Sequence, residues 1–183
     1  TVEKSLKTAQ EREYFLIHEA RYAYILNQIT SVVAGPATRT GYRILDVGCY
    51  PYHLGRTLEL MGHDVYGIAS AHEPIHGAKV KICNIENDKF PFKDNFFDLV
   101  IYAEVLEHLA QSPAFTLSES RRVTKADGNL LITTPNIARS INRAKLLFGK
   151  SVTYPLSQLL ENNGKGSVIY HRHNREYTLS ELE

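Results

Sequence analysis

Three side chains capable of acid–base or metal chemistry stand close together in the sequence: Glu104, Glu107 and His108, at positions i, i+3 and i+4. If residues 104–109 are helical, all three project from one face of the helix. Two carboxylates and an imidazole form a reasonable site for a hard-to-borderline divalent metal. Without a metal, the same residues would shape a pocket and hold a loop, and we favour this simpler interpretation.

A second polar group follows the apolar run from Tyr42 to Val47, which turns abruptly into a loop as a buried parallel strand does. In an open α/β sheet, ligands bind beyond the carboxyl ends of the strands. The candidate binding residues are therefore those that follow each predicted strand: 46–53, 69–70, 84–86 and 104–108.

A nicotinamide or flavin dinucleotide matches the first of these loops poorly. Its fingerprint needs glycines at 48, 50 and 53, so that the backbone can approach the pyrophosphate. This chain has Gly48 but Tyr50 and His53. The acidic residue expected about 20 positions later is missing, with Ala69 and Ser70 in that region. A dehydrogenase is therefore a distant hypothesis.

The elements that must position these residues alternate between strands and helices, which favours parallel βαβ units with right-handed crossovers. Strands are predicted at 42–48, 64–68, 78–83, 96–103 and 129–133, and helices at 3–33, 53–62, 113–125, 137–148 and from 179. The first helix has one apolar face, which we expect to pack on the domain, formed by Phe15, Tyr22, Ile25, Ile29 and Val32. Residues 149–175 are predicted to form a loop or lid. The pattern predicts an α/β fold with a doubly wound, mostly parallel sheet.

The composition is that of an ordinary globular protein, since 183 residues with 43% apolar and 22% charged residues fit one domain. No stretch approaches the roughly 20 continuous apolar residues of a membrane span. Cys49 and Cys83 are too few for a disulfide framework, which favours a reducing, cytoplasmic location. The net charge of +1 lacks the strong basic stripe of a nucleic-acid binder, so we expect no nucleic-acid partner.

Four segments, in order along the chain, resemble class I S-adenosylmethionine-dependent methyltransferases. They are 43–54 (RILDVGCYPYHL), 90–109 (FPFKDNFFDLVIYAEVLEHL), 128–136 (GNLLITTPN) and 173–182 (HNREYTLSEL). The resemblance implies a Rossmann-like fold with S-adenosyl-L-methionine as cofactor. It gives an N-terminal helix at 1–36 and a cofactor-binding domain at 37–183. A capping box at 178–181 starts a helix just before the chain stops. We therefore expect the domain to be incomplete at its C-terminus, without the family's last strands.

The resemblance also implies roles for single residues in the cofactor site. Asp46 and Gly48 would line the methionine end of the cofactor, with Asp46 facing its ammonium group. Asn84 and Ile85 fall where the family contacts adenine. The remaining implied cofactor residues are Cys49, Tyr50, Ala69, Tyr102 and Ala103. Tyr102 and Ala103 would border the methionine moiety, although the tyrosines here could instead be core aromatics.

Several positions depart from the family's pattern. Tyr50 and Tyr52 replace glycines that the family commonly has, and Asn84 replaces a frequent aspartate. Ala69 stands where the family usually has an acidic residue that grips the ribose hydroxyls. Losing that contact could cost about 1.5–3 kcal/mol of cofactor affinity. Glu73 is a candidate substitute, or else a solvated loop carboxylate. A catalytically degenerate binding module is therefore one alternative.

The function implied is methyl transfer to an oxygen or nitrogen of a small-molecule or glycan-type acceptor. His108 is the candidate general base, since transfer to oxygen requires deprotonation of the acceptor. Glu104 is the second candidate catalytic residue. A further resemblance, to 2′-O-methyltransferases acting on small-RNA 3′ ends, implies a metal held by Glu104, Glu107, His108 and His173. Because the EVLEHL segment is widespread in small-molecule methyltransferases that use no metal, we expect none here. The oligomeric state is left open.

Overall fold

One sheet is built from β1 (Arg43–Val47), β2 (Asp64–Ala69), β3 (Val80–Ile82), β4 (Phe97–Ala103) and β5 (Thr124–Thr133). The computed structural model of the chain describes residues 9–33, 40–70, 79–153 and 173–182. The strands lie in the order β3-β2-β1-β4-β5. β1 pairs in parallel with both β2 and β4, and β2 pairs in parallel with β3. The chain therefore moves outward from β1 to β3 and resumes on the other side of β1, which creates a switch point between β1 and β4. The predicted mostly parallel α/β sheet is confirmed.

The described helices are α1 (Ala9–Val33), α2 (His53–Leu60), α3 (Ala114–Val123), α4 (Ser140–Leu147) and α5 (Leu179–Leu182), with a 3-10 helix at Leu106–His108. Each α-helix falls within a segment predicted to be helical. α2 ends at Leu60 rather than at 62, and α4 begins at Ser140 rather than at 137. Most of the predicted loop at 149–175 lies outside the described residues.

β5 begins earlier than the sequence predicts. The prediction of a helix to 125 and a strand from 129 is wrong, because the strand starts at Thr124 and runs through Asp127 and Gly128. A Cβ at Gly128 would lie 3.0 Å from the carbonyl oxygens of both Phe97 and Asp98. The glycine therefore allows β5 to approach the backbone of β4 closely, and it does not mark a turn.

Helices cover both faces of the sheet. Leu99 and Ile101 of β4 belong to a buried cluster that also contains Ile25 and Ile29 of α1 and residues of α2. The side chain of Tyr102 points to the opposite face, since successive strand residues alternate, and its hydroxyl contacts α3. The sheet is therefore doubly wound, and the apolar face of α1 packs on the domain as expected.

The described residues divide into two compact units. The first contains those within Thr1–Ala103 and Ser112–Ile132, and the second contains those within Glu104–Gln111 and Thr133–Glu183. α1 belongs to the same unit as the sheet. The separate assignment of 1–36 and 37–183 as domains stays a prediction. Among the described helices, none combines the length and apolar character that crossing a bilayer requires.

Candidate active site

The loop after β1 turns sharply at Gly48, whose backbone has φ 72°. Residues with a Cβ rarely adopt this left-handed conformation, so glycine suits the position. The amide groups of Gly48 and Cys49 both donate to the carbonyl oxygen of Ile68, at 2.9 and 3.0 Å. The start of the loop is therefore held at the end of β2, with both amide groups already used.

Cys49 and Tyr50, both predicted cofactor residues, have different surroundings. Cys49 is buried, and its Sγ would lie 2.6 Å from a Cβ built at Gly67. The Cys49 side chain thus packs on β2. Tyr50 is 42% exposed and precedes Pro51 through a cis peptide bond. Of the two, Tyr50 has the side chain that is open to a ligand.

Tyr52, which stands where the family commonly has glycine, is a core residue at the N-terminus of α2. It is buried, with φ 68°. Its hydroxyl donates to Oε1 of Glu59 at 2.9 Å. A Cβ built at Gly55 would lie 2.5 Å from the Tyr52 ring, so the glycine makes room for the tyrosine. The alternative that this tyrosine is a core aromatic is confirmed.

Asp46 lies in β1, with its backbone between Gly67 of β2 and Ile101 of β4. Burial raises the pKa of its carboxyl to about 7, because low-polarity surroundings disfavour the charged form. No described residue donates a hydrogen bond that would offset this cost. A ligand that carries a positive charge would supply the missing compensation. Asp46 therefore fits the ammonium group that the resemblance assigns to it.

The carboxyl end of β2 carries no acidic side chain at the position where one was expected from the family. Ala69 is buried there, and its carbonyl oxygen accepts a hydrogen bond from the Cys83 amide at 3.2 Å. This bond places the ends of β2 and β3 side by side. Glu73, the candidate substitute, lies outside the described residues.

Asn84 and Ile85 follow β3 in a short turn. The side-chain oxygen of Asn84 accepts a hydrogen bond from the Glu86 amide at 3.1 Å. Asn84 is exposed and Ile85 is half-buried. The turn thus uses the amide oxygen of Asn84, and its NH₂ group is the part suited to a ligand such as adenine.

The side chain of Tyr102 is fully buried, and its hydroxyl lies 2.6 Å from the hydroxyl of Thr116 and 2.7 Å from that of Ser120. The polar end of the side chain is therefore engaged by α3. Its role beside the methionine moiety of the cofactor stays a prediction. Ala103, the next residue, is half-buried at the carboxyl end of β4.

The prediction that Glu104, Glu107 and His108 share one face of a helix is wrong, because the helical segment covers only Leu106–His108. Glu104 has φ 59° and precedes the 3-10 helix. Its amide donates to the carbonyl oxygen of Thr133 at 2.9 Å. The backbone at Glu104 is thus still tied to the end of β5, so no helix can begin there.

The structure nevertheless brings Glu107 and His108 together with the distant His173. One ligand atom from each lies within 4.8 Å of the other two. Glu107 is fully buried, and its Oε1 has no hydrogen-bond partner among the described residues. Nε2 of His108 lies 3.9 Å from this oxygen. Among the described residues, Glu104 is not part of this group.

The arrangement of these three side chains, which we call the Glu–His–His cluster, is held by the backbone. The carbonyl oxygen of Glu107 accepts hydrogen bonds from the amides of Asn174 at 2.7 Å and Arg175 at 3.3 Å. The Asn174 side chain donates to the carbonyl oxygen of His108 at 2.8 Å. These bonds fix His173 beside the 3-10 helix.

Two further contacts orient the cluster. Nδ1 of His173 lies 2.8 Å from Oε1 of Glu176, and the Thr134 hydroxyl donates to Oε2 of Glu107 at 3.0 Å. The pKa of Glu107 is raised to about 7, mainly by burial and in part by the charge of Glu104. The Thr134 hydrogen bond and His173 act in the opposite direction. The Glu176 carboxylate beside Nδ1 of His173 is the usual support for a metal-binding histidine, because it fixes the orientation of the ring.

Comparison with known proteins agrees with the fold described above. Residues 45–132 match the family described as "Methyltransferase domain". A ubiquinone biosynthesis O-methyltransferase of Roseobacter denitrificans is 28% identical over 134 residues, covering 66% of this chain and 54% of the relative. The chain thus spans about half the length of the curated relatives it matches.

Two solved structures share the fold. A methyltransferase of Thermotoga maritima aligns with TM-score 0.56 and 20% identity, over 94% of this chain and 72% of that one. A methyltransferase of Archaeoglobus fulgidus aligns with TM-score 0.54 and 18% identity, over 80% of this chain and 70% of that one. Both depend on S-adenosylmethionine. The match to residues 45–132, the strand order and the loop after β1 therefore agree with the resemblance of this chain to class I S-adenosylmethionine-dependent methyltransferases.

Proposed function

We propose that this chain binds S-adenosylmethionine at the carboxyl ends of β1, β2 and β3 and transfers its methyl group to an oxygen of a small molecule. The observation that carries the proposal is the buried, uncompensated carboxylate of Asp46 next to the left-handed turn at Gly48. The choice of oxygen is supported by the O-methyltransferase names of the curated relatives. Nitrogen and glycan acceptors are the alternatives.

Each residue at the edge has a separate task in binding. Asp46 pairs with the ammonium group of the cofactor, and the NH₂ group of Asn84 contacts adenine. Ala69 offers no acceptor for the ribose hydroxyls. When bound, S-adenosylmethionine supplies an electrophilic methyl group on sulfur. The chain then has to hold the acceptor oxygen in line with that methyl group and remove its proton.

His108 is the proposed base for that proton. Its side chain is 32% exposed, so it can meet a ligand, and the buried carboxylate of Glu107 lies beside it. Glu104 is retained as a candidate acceptor-binding residue, but its backbone conformation separates it from the cluster.

A second candidate function is metal-assisted methyl transfer, and the Glu–His–His cluster favours it. The buried Oε1 of Glu107, two imidazoles and the Glu176 carboxylate behind His173 form a chemically suitable set for a borderline divalent ion. Such an ion would polarise the acceptor hydroxyl and lower its pKa. The same site would serve a ribose hydroxyl at an RNA end, although the net charge of +1 does not favour RNA.

Calorimetry tests the cofactor proposal. The chain should bind S-adenosylmethionine and S-adenosylhomocysteine, and Asp46→Asn should weaken both by about tenfold to a hundredfold. Methylthioadenosine lacks the amino-acid group, so its affinity should not change in Asp46→Asn. Asp98→Asn is the matched control, because Asp98 bonds to Arg43 and Lys125 at the opposite end of the sheet. Equal weakening of all three ligands by Asp46→Asn would contradict the assigned contact.

Turnover and metal are tested separately. Transfer of a labelled methyl group to small phenols, amines, glycans and RNA ends identifies the acceptor class. Binding without transfer to any of them would favour the degenerate module.

For the metal, Co²⁺ should give visible absorption bands that Glu107→Gln and His173→Asn both abolish, whereas Glu176→Gln only weakens binding. Absence of these bands with cofactor binding intact would leave His108 as a base that works without a metal.

A further inference from the structure

The amphipathic helix α4 has its apolar side outward. Ile141, Leu147 and Phe148, at its end, are 55%, 85% and 80% exposed. The polar residue Asn142 is 2% exposed and is the buried residue of the helix. A helix on the surface of a globular protein normally turns its apolar stripe toward the core and its polar residues toward water. In α4 the apolar residues are exposed, Leu146 at 59% included, and the polar Asn142 is buried.

Local hydrogen bonds satisfy the buried Asn142. The Asn142 side chain donates to the carbonyl oxygen of Ile137 at 2.9 Å and accepts a bond from Nε of Arg139 at 3.3 Å. Both partners lie in the segment directly before the helix, so these bonds hold the start of α4 and satisfy the polar groups of the buried Asn142.

Cations flank the outward stripe on both sides. With about 3.6 residues per turn, Ile141, Ala144 and Phe148 follow one another along one line, and Leu147 lies beside them. Arg143 and Lys145 fall on opposite sides of this line. From 136 to 153 the chain has four basic residues and no Asp or Glu: Arg139, Arg143, Lys145 and Lys150. The charged residues that this segment itself places beside the apolar stripe are therefore all cationic.

We propose that α4 and Phe148 form a docking surface for an anionic lipid membrane. An apolar stripe flanked by basic residues is the pattern of a helix that lies in a membrane interface. Leu147 and Phe148 enter the boundary between headgroups and acyl chains, while Lys145 and Arg143 meet lipid phosphates. The basic residues of the segment favour a negatively charged surface, and a short stripe gives weak, reversible attachment. This surface goes beyond methyl transfer and does not depend on it.

The chain contains no tryptophan, so a single introduced tryptophan reports on one position. Phe148→Trp should shift its fluorescence to the blue with vesicles of phosphatidylcholine and phosphatidylglycerol. The shift should be absent with phosphatidylcholine alone and should disappear at high salt. Leu60→Trp is the control, because Leu60 is also exposed, at 57%, but belongs to α2 and not to this basic segment of the sequence. Shifts of equal size at both positions would overturn the proposal.

Vesicle flotation tests the same surface without a fluorophore. Leu147→Ser with Phe148→Ser, and separately Lys145→Gln with Lys150→Gln, should each reduce binding to the anionic vesicles by about tenfold or more. Leu60→Ser should bind as the unchanged chain does. All these side chains are exposed, so circular dichroism and cofactor affinity should be retained. Absence of flotation in the unchanged chain would overturn the proposal. So would apolar variants that only abolish self-association, which would make a second copy the occupant.

Discussion

The ring of Tyr52 lies so close to the backbone of Gly55 that a methyl group at residue 55 would come within 2.5 Å of the ring. Tyr52 occupies a position where the family commonly has glycine, and its ring fills the space that Gly55 leaves open in α2. The Tyr52 hydroxyl then reaches Glu59 one turn further along the helix. A large residue in the loop and a missing side chain in the helix therefore compensate each other.

Gly55→Ala should destabilise the chain by about 1–3 kcal/mol, because the added methyl group overpacks the site. The direction is informative, since alanine in a helix interior is otherwise favoured over glycine by about 1 kcal/mol. Urea unfolding of the unchanged chain and the variant gives the difference.

The control for this prediction is a double-mutant cycle with Tyr52→Ala. Tyr52→Ala alone is destabilising, but Gly55→Ala in that background should become neutral or stabilising. A cost of Gly55→Ala that is the same in both backgrounds would show that the contact is not responsible.

The pH dependence of stability should change in Asp46→Asn. The pKa of Asp46 rises from 3.8 to about 7 on folding, so the folded state binds more protons than the unfolded state between these values. Stability contributed by Asp46 therefore falls as pH rises from about 4 to about 7, by on the order of a few kcal/mol in total. The Asn variant lacks this slope.

The measurement is the melting temperature of both proteins, without ligand, over that pH range. Glu107 also has a raised pKa, and His63 a lowered one, so only the difference between the two proteins isolates Asp46. A constant difference across the range would contradict the prediction. Added S-adenosylmethionine should flatten the slope of the unchanged chain, because its ammonium group compensates the ionised carboxylate.

Tyr102→Phe should lower stability without affecting the cofactor. The variant loses the hydrogen bonds to Thr116 and Ser120 and leaves their buried hydroxyls with fewer partners. The expected cost is about 1–2 kcal/mol in urea unfolding. Calorimetry should give an unchanged affinity for S-adenosylmethionine. A weaker affinity with no loss of stability would instead return the Tyr102 hydroxyl to the cofactor site.

The sequence predicts the sheet well because each buried strand is a short apolar run. Ile44, Leu45 and Val47 of β1, and Leu99 and Val100 of β4, are all fully buried, so the run and the strand coincide. The start of β5 is missed because Asp127-Gly128 is a common turn pattern. What decides its structure is the neighbouring backbone of β4, which local sequence does not contain.

The site is predicted less completely for the same reason. The spacing of Glu104, Glu107 and His108 suits a helix, but a hydrogen bond from the Glu104 amide to the Thr133 carbonyl oxygen ties residue 104 to β5. Asp46 and Gly48 are found from their place after a strand. His173 is found only through its motif, because the bonds that bring it to Glu107 join residues far apart in the sequence.

The pairing of Asn136 with Tyr177 is an isolated parallel bridge, supported by a hydrogen bond from the Ile137 amide to the Tyr177 carbonyl oxygen at 3.0 Å. The bridge therefore closes the loop between residues 136 and 177. Closing a longer loop costs only slightly more entropy than closing a shorter one. Insertions or deletions between residues 136 and 173 should consequently leave His173 beside Glu107, because the bridge and the bonds from Asn174 and Arg175 to Glu107 hold that end of the loop.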